Sequence, residues 1–273
     1  MKNNLTFRIF SATVALIILF LAIYYGRETG IFIVALFCVF RGSFEIARLF
    51  FQDKYPKFAK PFFVGLCLSV FSIITFDGYK SLAGILIVLA FVLVVSVGIL
   101  LHRLFNQTDD LLAFVTKCMM GLVYTCYVPA TIVWMTQTNM GLEWFLCLLA
   151  VVFAGDIGAY VFGSLFGKTK IAPLLSPKKS VQGGLGGLFF SILAALGFSY
   201  FLPNTPFFVL FFCGLFGGLL GQIGDFFESL VKRVAGVKDS GSIMPGHGGV
   251  LDRLDGVLLA SPLFYVISQQ YSM

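Results

Sequence analysis

Charged residues are scarce in this chain of 273 residues. Only 12% are Asp, Glu, Lys or Arg, whereas 59% are hydrophobic and the mean hydropathy is +0.95. A typical soluble domain carries about 25% charged residues. A soluble fold of this size lacks the interior to hide so much apolar surface, and intrinsic disorder requires the opposite composition. The composition therefore predicts a polytopic helical membrane protein.

Histidine and paired cysteine are nearly missing as well. The chain has two histidines, and its six cysteines stand apart within apolar runs without a Cys-x-x-Cys pair. This excludes a zinc site and favours the cysteines as small buried hydrophobic residues. The net charge of +6 is expected to reflect membrane topology and attraction to anionic lipids, so no nucleic-acid partner is predicted.

About nine segments are long and apolar enough to cross a bilayer, which takes roughly 20 residues per helix. The first lacks a cleavage site and is interpreted as a retained helix. The fold class is thus an all-α polytopic membrane protein with about nine transmembrane helices. The segments are Phe7–Tyr25, Ile31–Phe51, Pro61–Phe76, Leu82–Leu101, Leu111–Met135, Leu142–Phe166, Gly184–Leu202, Phe207–Asp225 and Leu251–Tyr271.

Lysine and arginine positions predict the orientation of these helices. With nine spans, 17 of the 19 basic residues fall on every second connection or terminus when the flanking helix ends are counted with it. Cytoplasmic loops carry such an excess of positive charge. We therefore expect a cytoplasmic N-terminus and a C-terminus outside.

The composition shifts near residue 150. Before it, polar residues are isolated, and residues 1–150 read as about five transmembrane helices that form a lipid-facing scaffold. After it, carboxylates, basic pairs, glycine and proline concentrate. Residues 151–273 are therefore the expected catalytic region, with cytoplasmic loops at 167–184 and 229–251.

Four aspartates lie at or near membrane depth. Asp156 is inside the sixth segment, Asp225 ends an apolar run, and Asp252 and Asp255 open the ninth segment. An ionised carboxylate at the bilayer centre costs about 2.5–3.5 kcal/mol, so such residues usually face a cavity or a partner. Asp252 and Asp255 share a helix face, as do Asp225 and Glu228. Converging carboxylates of this kind suit Mg²⁺.

The loop at 167–184 is basic. Lys178 and Lys179 follow a Ser-Pro turn, and Ser180 is placed to cap a following helix. The loop is either a phosphate clamp or an ordinary cytoplasmic loop, and its residues alone do not decide between the two.

The loop at 229–251 joins basic residues to glycines and leads into the ninth segment. Glycines let backbone N–H groups approach an anion, and a helix N-terminus favours phosphate. A plain connector has little reason to combine these features, so the loop predicts a phosphate site.

The same stretch carries a long motif that resembles the signature of the phosphatidate cytidylyltransferase (CDP-diacylglycerol synthase) family. Met244 is its one departure, at a position usually Leu, Ile or Phe. The strong match covers about residues 150–260, and upstream Asp-x-x-Ala-Tyr, Ser-Pro-Lys-Lys-Ser and Gly-Asp segments agree with the family. The family often has Glu where this chain has Gln182, which leaves a role by charge open there. The signature positions are Ser229, Lys232, Arg233, Lys238, Asp239, Gly241, Pro245, His247, Gly248, Gly249, Asp252, Arg253 and Asp255.

The resemblance implies a reaction in which CTP and phosphatidate give CDP-diacylglycerol and pyrophosphate. It implies Mg²⁺, with a second, monovalent cation left open, and a bacterial inner membrane with the site facing the cytoplasm. Metal ligands would be Asp225 and Asp252, with Asp255 beside them. The remaining catalytic candidates are Asp156, Lys232, Arg233, Lys238 and Arg253. The substrate-binding candidates are Lys178, Lys179, Ser180, Asp239, His247, Gly248 and Gly249.

Two alternatives remain at this stage. One is a related CTP-using kinase or cytidylyltransferase that acts on another lipid, and the other is a cation transporter. Small residues four apart in the seventh and eighth segments indicate close helix packing, and they also allow a homodimer.

Overall fold

A computed structural model describes residues 13–52, 55–76, 80–243 and 248–271, and these are mostly helical. The chain divides into two compact units. One comprises residues 1–133 and 239–251, and the other comprises residues 134–238 and 252–273. The predicted division at residue 150 falls inside the long helix Gly141–Phe166. The assignment of a scaffold and a catalytic region is functional and stays a prediction.

Five helices belong to the first unit, the last of which runs a few residues beyond it. They are α1 (Arg27–Phe50), α2 (Ala59–Thr75), α3 (Ala83–Leu100), α4 (Thr108–Leu122) and α5 (Val128–Thr136). Helical chain from residue 13 ends in a π turn, Ala22–Gly26, ahead of α1, and a second π turn, Val123–Tyr127, joins α4 to α5. Arg27 has a φ of 46°, which separates α1 from the helical chain before it.

Aromatic rings form the core of the first unit. Phe114 is fully buried, and the rings of Phe51, Phe58, Phe62 and Phe105 surround it at centroid distances of 5.4–6.2 Å. Such edge and tilted contacts add to the stabilisation from burial itself.

The cysteines behave as predicted. All six are free thiols, five of them buried. In the first unit the Cys126 thiol donates to the Cys67 carbonyl at 3.2 Å, and the Thr125 hydroxyl donates to the Gly121 carbonyl at 2.8 Å.

The second unit has four helices and a short antiparallel hairpin. The helices are α6 (Gly141–Phe166), α7 (Val181–Gly197), α8 (Phe207–Val234) and α9 (Leu251–Tyr271). The strands are β1 (Lys170–Ala172) and β2 (Ser176–Ser180). The hairpin lies in residues 167–184, which were predicted to be a loop, and it adds two short paired strands to a fold that was predicted to be all-α. Single 3₁₀ turns complete the described chain at Lys80–Leu82, His102–Leu104 and Phe198–Tyr200.

Glycines bring the helices of the second unit into backbone contact. A Cβ added at Gly187 would lie 2.9 Å from the Gly155 carbonyl, and one at Gly217 would lie 2.7 Å from the Phe264 ring. The predicted use of these small residues for packing is confirmed within the unit. Because neighbouring helices of the same chain already cover these faces, a homodimer through them stays an untested prediction.

The last helix accommodates a proline. Pro262 lies inside α9 and has no N–H to donate to the Leu258 carbonyl, four residues earlier. The Ser261 hydroxyl donates to that carbonyl at 2.8 Å instead. The helix therefore continues past the proline with this carbonyl satisfied.

The chain is an integral membrane protein. Six helical stretches in the described residues are long and apolar enough to cross a bilayer, and α2 is a shorter apolar helix. Each of the nine predicted segments coincides with helical structure in the part of the chain described, although Phe7–Tyr25 is described only from residue 13. The stretches are Thr13–Phe50, Lys80–Leu100, Thr108–Thr136, Gly141–Phe166, Val181–Tyr200 and Phe207–Val234.

Candidate active site

The β-hairpin leads directly into the first turn of α7. Ser180 ends β2, and its hydroxyl accepts a hydrogen bond from the Gly183 N–H at 3.2 Å, which confirms the predicted helix cap. The Gln182 side-chain oxygen accepts from the N–H groups of Lys168 and Thr169 at 3.0 and 3.2 Å. Gln182 thus ties the start of the hairpin to the start of α7 through a neutral amide, without the charge of a glutamate.

One lysine of the hairpin reaches a carboxylate on α8. The Lys179 ammonium forms an ion pair with Asp225, and it also lies 4.5 Å from the centroid of the Phe226 ring. Lys179 is 30% exposed and Asp225 is 36% exposed, so both remain accessible to solvent or a ligand. This contact joins the basic loop to the first predicted metal ligand.

A second lysine joins two carboxylates. Lys232 donates to Glu228 at 2.8 Å and to Asp252 at 2.5 Å, linking the cytoplasmic end predicted for α8 to the first turn of α9. Glu228 is 1% exposed, and its Oε1 has no hydrogen-bond partner among the described residues. The Glu228 carboxylate also interacts with the carboxylates of Asp255 and Asp252, and buried carboxylates this close together favour a cation beside them.

Helices α8 and α9 touch at their backbones beside these groups. A Cβ added at Gly224 would collide with the carbonyl oxygen of Asp255, and one at Gly256 would lie 3.2 Å from the Gly221 carbonyl. Asp225, next to Gly224, is thereby brought close to Asp255. The Asp255 carboxylate accepts from the Gly256 N–H at 2.8 Å and interacts electrostatically with Asp225.

The structure brings the sixth predicted helix to the same cluster. Asp156 lies on α6 and interacts electrostatically with Asp225, Lys179 and Arg253. The two glycines flanking it fit against α7: Gly155 meets the Ser191 hydroxyl and Gly158 meets the Gly186 carbonyl. Asp156, Asp225, Asp252 and Asp255 therefore belong to one unit.

Three basic candidates lie at the margin of the cluster. Lys178, Arg233 and Lys238 are exposed. The Lys178 carbonyl accepts from Lys170 at 3.4 Å, and the Arg233 side chain reaches the carbonyls of Leu175 and Val237, also at 3.4 Å. These contacts are long, and long contacts hold an exposed side chain weakly. The exposure of the three side chains leaves them accessible to an incoming anion.

The remaining candidates belong to the first unit. Asp239 is exposed, Gly248 has a left-handed backbone with a φ of 85°, and His247 lies outside the described residues. The N–H groups of Val250 and Leu251, at the start of α9, are already bound by the carboxylate of Glu45 at 2.9 and 3.0 Å. The expectation that the α9 N-terminus receives phosphate stays a prediction, and the structure assigns those two donors to Glu45.

The donor types in the second unit fit Mg²⁺. Asp225, Asp252 and Asp255 offer carboxylate oxygens, and Glu228 adds a buried oxygen without a partner. The present arrangement pairs Asp225 and Asp252 with lysines, and no group of three or more potential ligands in the described residues is arranged around one point. The chemistry of the donors suits the ion, and the lysine pairs must open for it to bind.

Glu45 is the main functional candidate that the sequence did not single out. It is a lone carboxylate inside the apolar segment Ile31–Phe51, and that position alone marks it as unusual. Glu228 was predicted to share a helix face with Asp225 but was given no role in the site.

The helical membrane fold, the hairpin and the carboxylate–lysine cluster define a helical membrane protein that carries a compact charged site. Comparison with known sequences places the chain more closely. It matches the model of the cytidylyltransferase family over residues 6–271, and it belongs to that family.

Several relatives carry the name phosphatidate cytidylyltransferase. The chain is 40% identical over 148 residues to that of Staphylococcus aureus strain COL, and this covers 54% of the chain and 57% of the relative. It is 40% identical over 152 residues to that of Staphylococcus saprophyticus, covering 55% and 57%. It is 36% identical over 183 residues to that of Staphylococcus haemolyticus, covering 67% of each. The matched region is thus somewhat more than half the length of the first two relatives.

Proposed function

We propose that this protein transfers the cytidylyl group of CTP to phosphatidate, with CDP-diacylglycerol and pyrophosphate as products. The observation that carries the proposal is the cluster of four aspartates with Lys179 and Lys232 in a membrane-embedded chain of the cytidylyltransferase family. The names of the relatives support phosphatidate as the acceptor. Phospholipid synthesis is the process that such a product would serve.

The reaction joins two anions, and this determines what the residues must do. The lipid phosphate oxygen attacks the α-phosphorus of CTP, the bond to the β-phosphate breaks, and pyrophosphate leaves. The attacking oxygen is already ionised, so catalysis depends on charge neutralisation and in-line positioning. The central cations are Lys179 and Lys232. Four exposed basic residues would bind the triphosphate and the lipid phosphate: Lys178, Arg233, Lys238 and Arg253.

Asp225, Asp252 and Asp255 would hold Mg²⁺, with Asp156 beside them. When bound, the ion would offset the charge of the phosphates and of the leaving pyrophosphate. Lys179 and Lys232 neutralise Asp225 and Asp252 in the present arrangement. Each lysine can then move from its carboxylate to a phosphate as nucleotide and metal enter. A monovalent cation is the second candidate ion of the proposal. The buried Oε1 of Glu228 is the group that favours this ion.

The site is proposed to face the cytoplasm of a bacterial inner membrane. The basic hairpin and the basic end of α8 would lie on that side by the distribution of positive charge. CTP would then arrive from water and phosphatidate from the adjoining leaflet. The proposed substrate-binding residues include Ser180, Asp239, His247, Gly248 and Gly249. The proposed assembly is a homodimer.

An assay with purified protein tests the function. The protein in detergent micelles is given labelled CTP, phosphatidate and Mg²⁺, and labelled CDP-diacylglycerol is expected. Asp225→Asn and Asp252→Asn should lower kcat at least ~100-fold, since a neutral amide holds a metal and offsets charge poorly. Asp109→Asn, at an exposed position of the first unit, is the control and should act as wild type.

Three outcomes would contradict the proposal. Labelling of a different lipid acceptor would indicate the related CTP-using enzyme, and ion flux without any labelled lipid would indicate a transporter. Near-normal turnover in a well-folded Asp225→Asn or Asp252→Asn variant would remove that residue from the metal site.

A further inference from the structure

The carboxylate of Glu45 is buried in the first unit against the last residues of the glycine-rich loop. Glu45 is 4% exposed. Its Oε1 accepts from the Val250 N–H at 2.9 Å, and its Oε2 accepts from the Leu251 N–H and the Ser240 hydroxyl, each at 3.0 Å. One side chain of α1 therefore binds both the beginning and the end of a loop that lies about 200 residues away in the sequence.

The loop is shaped around this carboxylate. A Cβ added at Gly241 would come within 2.7 Å of the Glu45 carboxylate, and one at Gly249 would collide with it and with the Ser240 hydroxyl. Glycine at both positions therefore leaves room for the carboxylate. The anion beside these two glycines is thus the Glu45 carboxylate of the same chain.

The packing around Glu45 supports a fixed position for the loop end. Gly42 lies one turn before Glu45 on α1, and a Cβ there would lie 3.1 Å from the Leu251 side chain. Ser240, Val250 and Leu251 are each 2% exposed. The Leu251 backbone is thus bound by Glu45 while its side chain packs against the same helix face.

Leu251 is the first residue of α9, and Asp252 follows it directly. The carboxylate of Glu45 binds the free N–H groups at the start of this helix, where negative charge is favoured. A hydrogen bond to an ionised acceptor is shorter and stronger than one between neutral groups. The position of Leu251 determines where the first turn of α9 begins, and that turn carries Asp252 and leads to Asp255.

We propose that Glu45 is a positioning residue that holds the start of α9, and with it Asp252 and Asp255, in the geometry needed for turnover. The link to turnover rests on the proposed function, whereas the contact itself does not. Glu45 acts through the backbone of Leu251 and does not touch the substrates. A displacement of about 1 Å at a catalytic group can lower a rate ~100-fold, so an anchor one residue away has a measurable effect.

Glu45→Gln is the main test, because it keeps the size of the side chain and replaces one acceptor oxygen with a donor NH₂. That NH₂ must face either the Val250 N–H or the Leu251 N–H. We expect hydrogen exchange of peptides containing Val250 and Leu251 to be about 10-fold faster. We expect kcat to fall about 10- to 100-fold while KM for CTP changes less than about 3-fold. Glu28→Gln, at an exposed position on the same helix, should match wild type in both measurements.

Ser240→Ala is the milder variant, since it removes one hydroxyl donor and leaves both backbone bonds. It should lower kcat a few-fold and speed exchange less than Glu45→Gln does. If Glu45→Gln does not fold, Ser240→Ala alone decides the matter: a lower kcat with faster exchange supports the proposal, and wild-type values of both overturn it.

Hydrogen exchange is measured without substrate, so it tests the role of Glu45 independently of the proposed enzymatic activity. A wild-type protein that makes no CDP-diacylglycerol defeats the proposed function, and the exchange of Glu45→Gln still decides whether Glu45 holds the loop. Unchanged exchange in a folded Glu45→Gln protein overturns the positioning role. So does faster exchange with undiminished kcat in an active protein.

Discussion

Two lysines hold the carboxylates of the second unit, and they differ in burial. Lys232 is 12% exposed and lies between Glu228 and Asp252, which are 1% and 8% exposed. Lys179 and Asp225 are about one-third exposed. Solvent screens the ion pair of Lys179 and Asp225, so its contribution to stability is small, whereas Lys232 offsets part of the charge of two desolvated carboxylates. The sequence identified both lysines, but the difference in burial depends on how α8 and α9 pack.

Removal of each lysine charge is expected to have a different effect on stability. Lys232→Met leaves two buried carboxylates without their cation and should lower the free energy of unfolding by about 3 kcal/mol. Lys179→Met should lower it by less than about 1 kcal/mol. Both variants should lose activity, because both lysines are proposed to meet phosphates. Thermal and denaturant unfolding in detergent gives the comparison, and equal losses of stability would show that burial does not separate the two pairs.

At the scale of elements, the approach of α8 to α9 determines how the aspartates meet. Gly224 leaves no room for a side chain against the Asp255 carbonyl, and a Cβ at Gly256 would lie 3.2 Å from the Gly221 carbonyl. The sequence predicted close packing from small residues four apart, a set that includes Gly221 but neither Gly224 nor Gly256. The spacing of small residues does not show which helix faces are in contact, because any small residue permits close approach. The packing of the helices determines which of these faces is used.

Gly224→Ala tests this approach. The added methyl group collides with the Asp255 backbone, so α8 and α9 must separate and Asp225 must move relative to Asp255. We expect a loss of about 1–3 kcal/mol in stability and at least a ~10-fold fall in kcat. Gly197→Ala is the matched control, since a Cβ there meets nothing within 4 Å in the same unit. Wild-type turnover in Gly224→Ala would contradict the need for this contact.

For the whole molecule, the number of spans determines the side on which each terminus lies. Nine spans place the termini on opposite sides, and an even number places them on one side. Six stretches meet the length and hydropathy expected of a span, and Thr13–Phe50 among them contains two predicted segments divided at Arg27. The helix α9 carries Asp252, Arg253 and Asp255 in or near its first turn and is not among the six.

Reporter fusions decide the orientation. An alkaline phosphatase fused after Met273 should be active, because that enzyme folds only outside the cytoplasm, and a fluorescent protein at the same place should stay dark. The same two reporters inserted in the hairpin after Leu174, which is 91% exposed, should give the reverse pattern. A bright C-terminal fluorescent fusion would place the C-terminus in the cytoplasm and would contradict the predicted arrangement.

The membrane class, the approximate helices and most members of the charged cluster could be predicted from the amino-acid sequence alone. This was possible because a bilayer excludes charge, so the few charged residues of an apolar chain stand out wherever they occur. Long apolar runs likewise mark helices without any knowledge of their neighbours. These are local properties, and each can be read from about 20 consecutive residues.

Which groups meet depends on the tertiary structure. The contacts of Lys179 with Asp225, Lys232 with Asp252 and Glu45 with Leu251 join residues that are 20 to 206 positions apart. The hairpin at 170–180 and the occupied N-terminus of α9 also came from the structure. Side chains that are remote along the chain meet only when packed helices bring them together, and the choice of face depends on where glycine permits close approach.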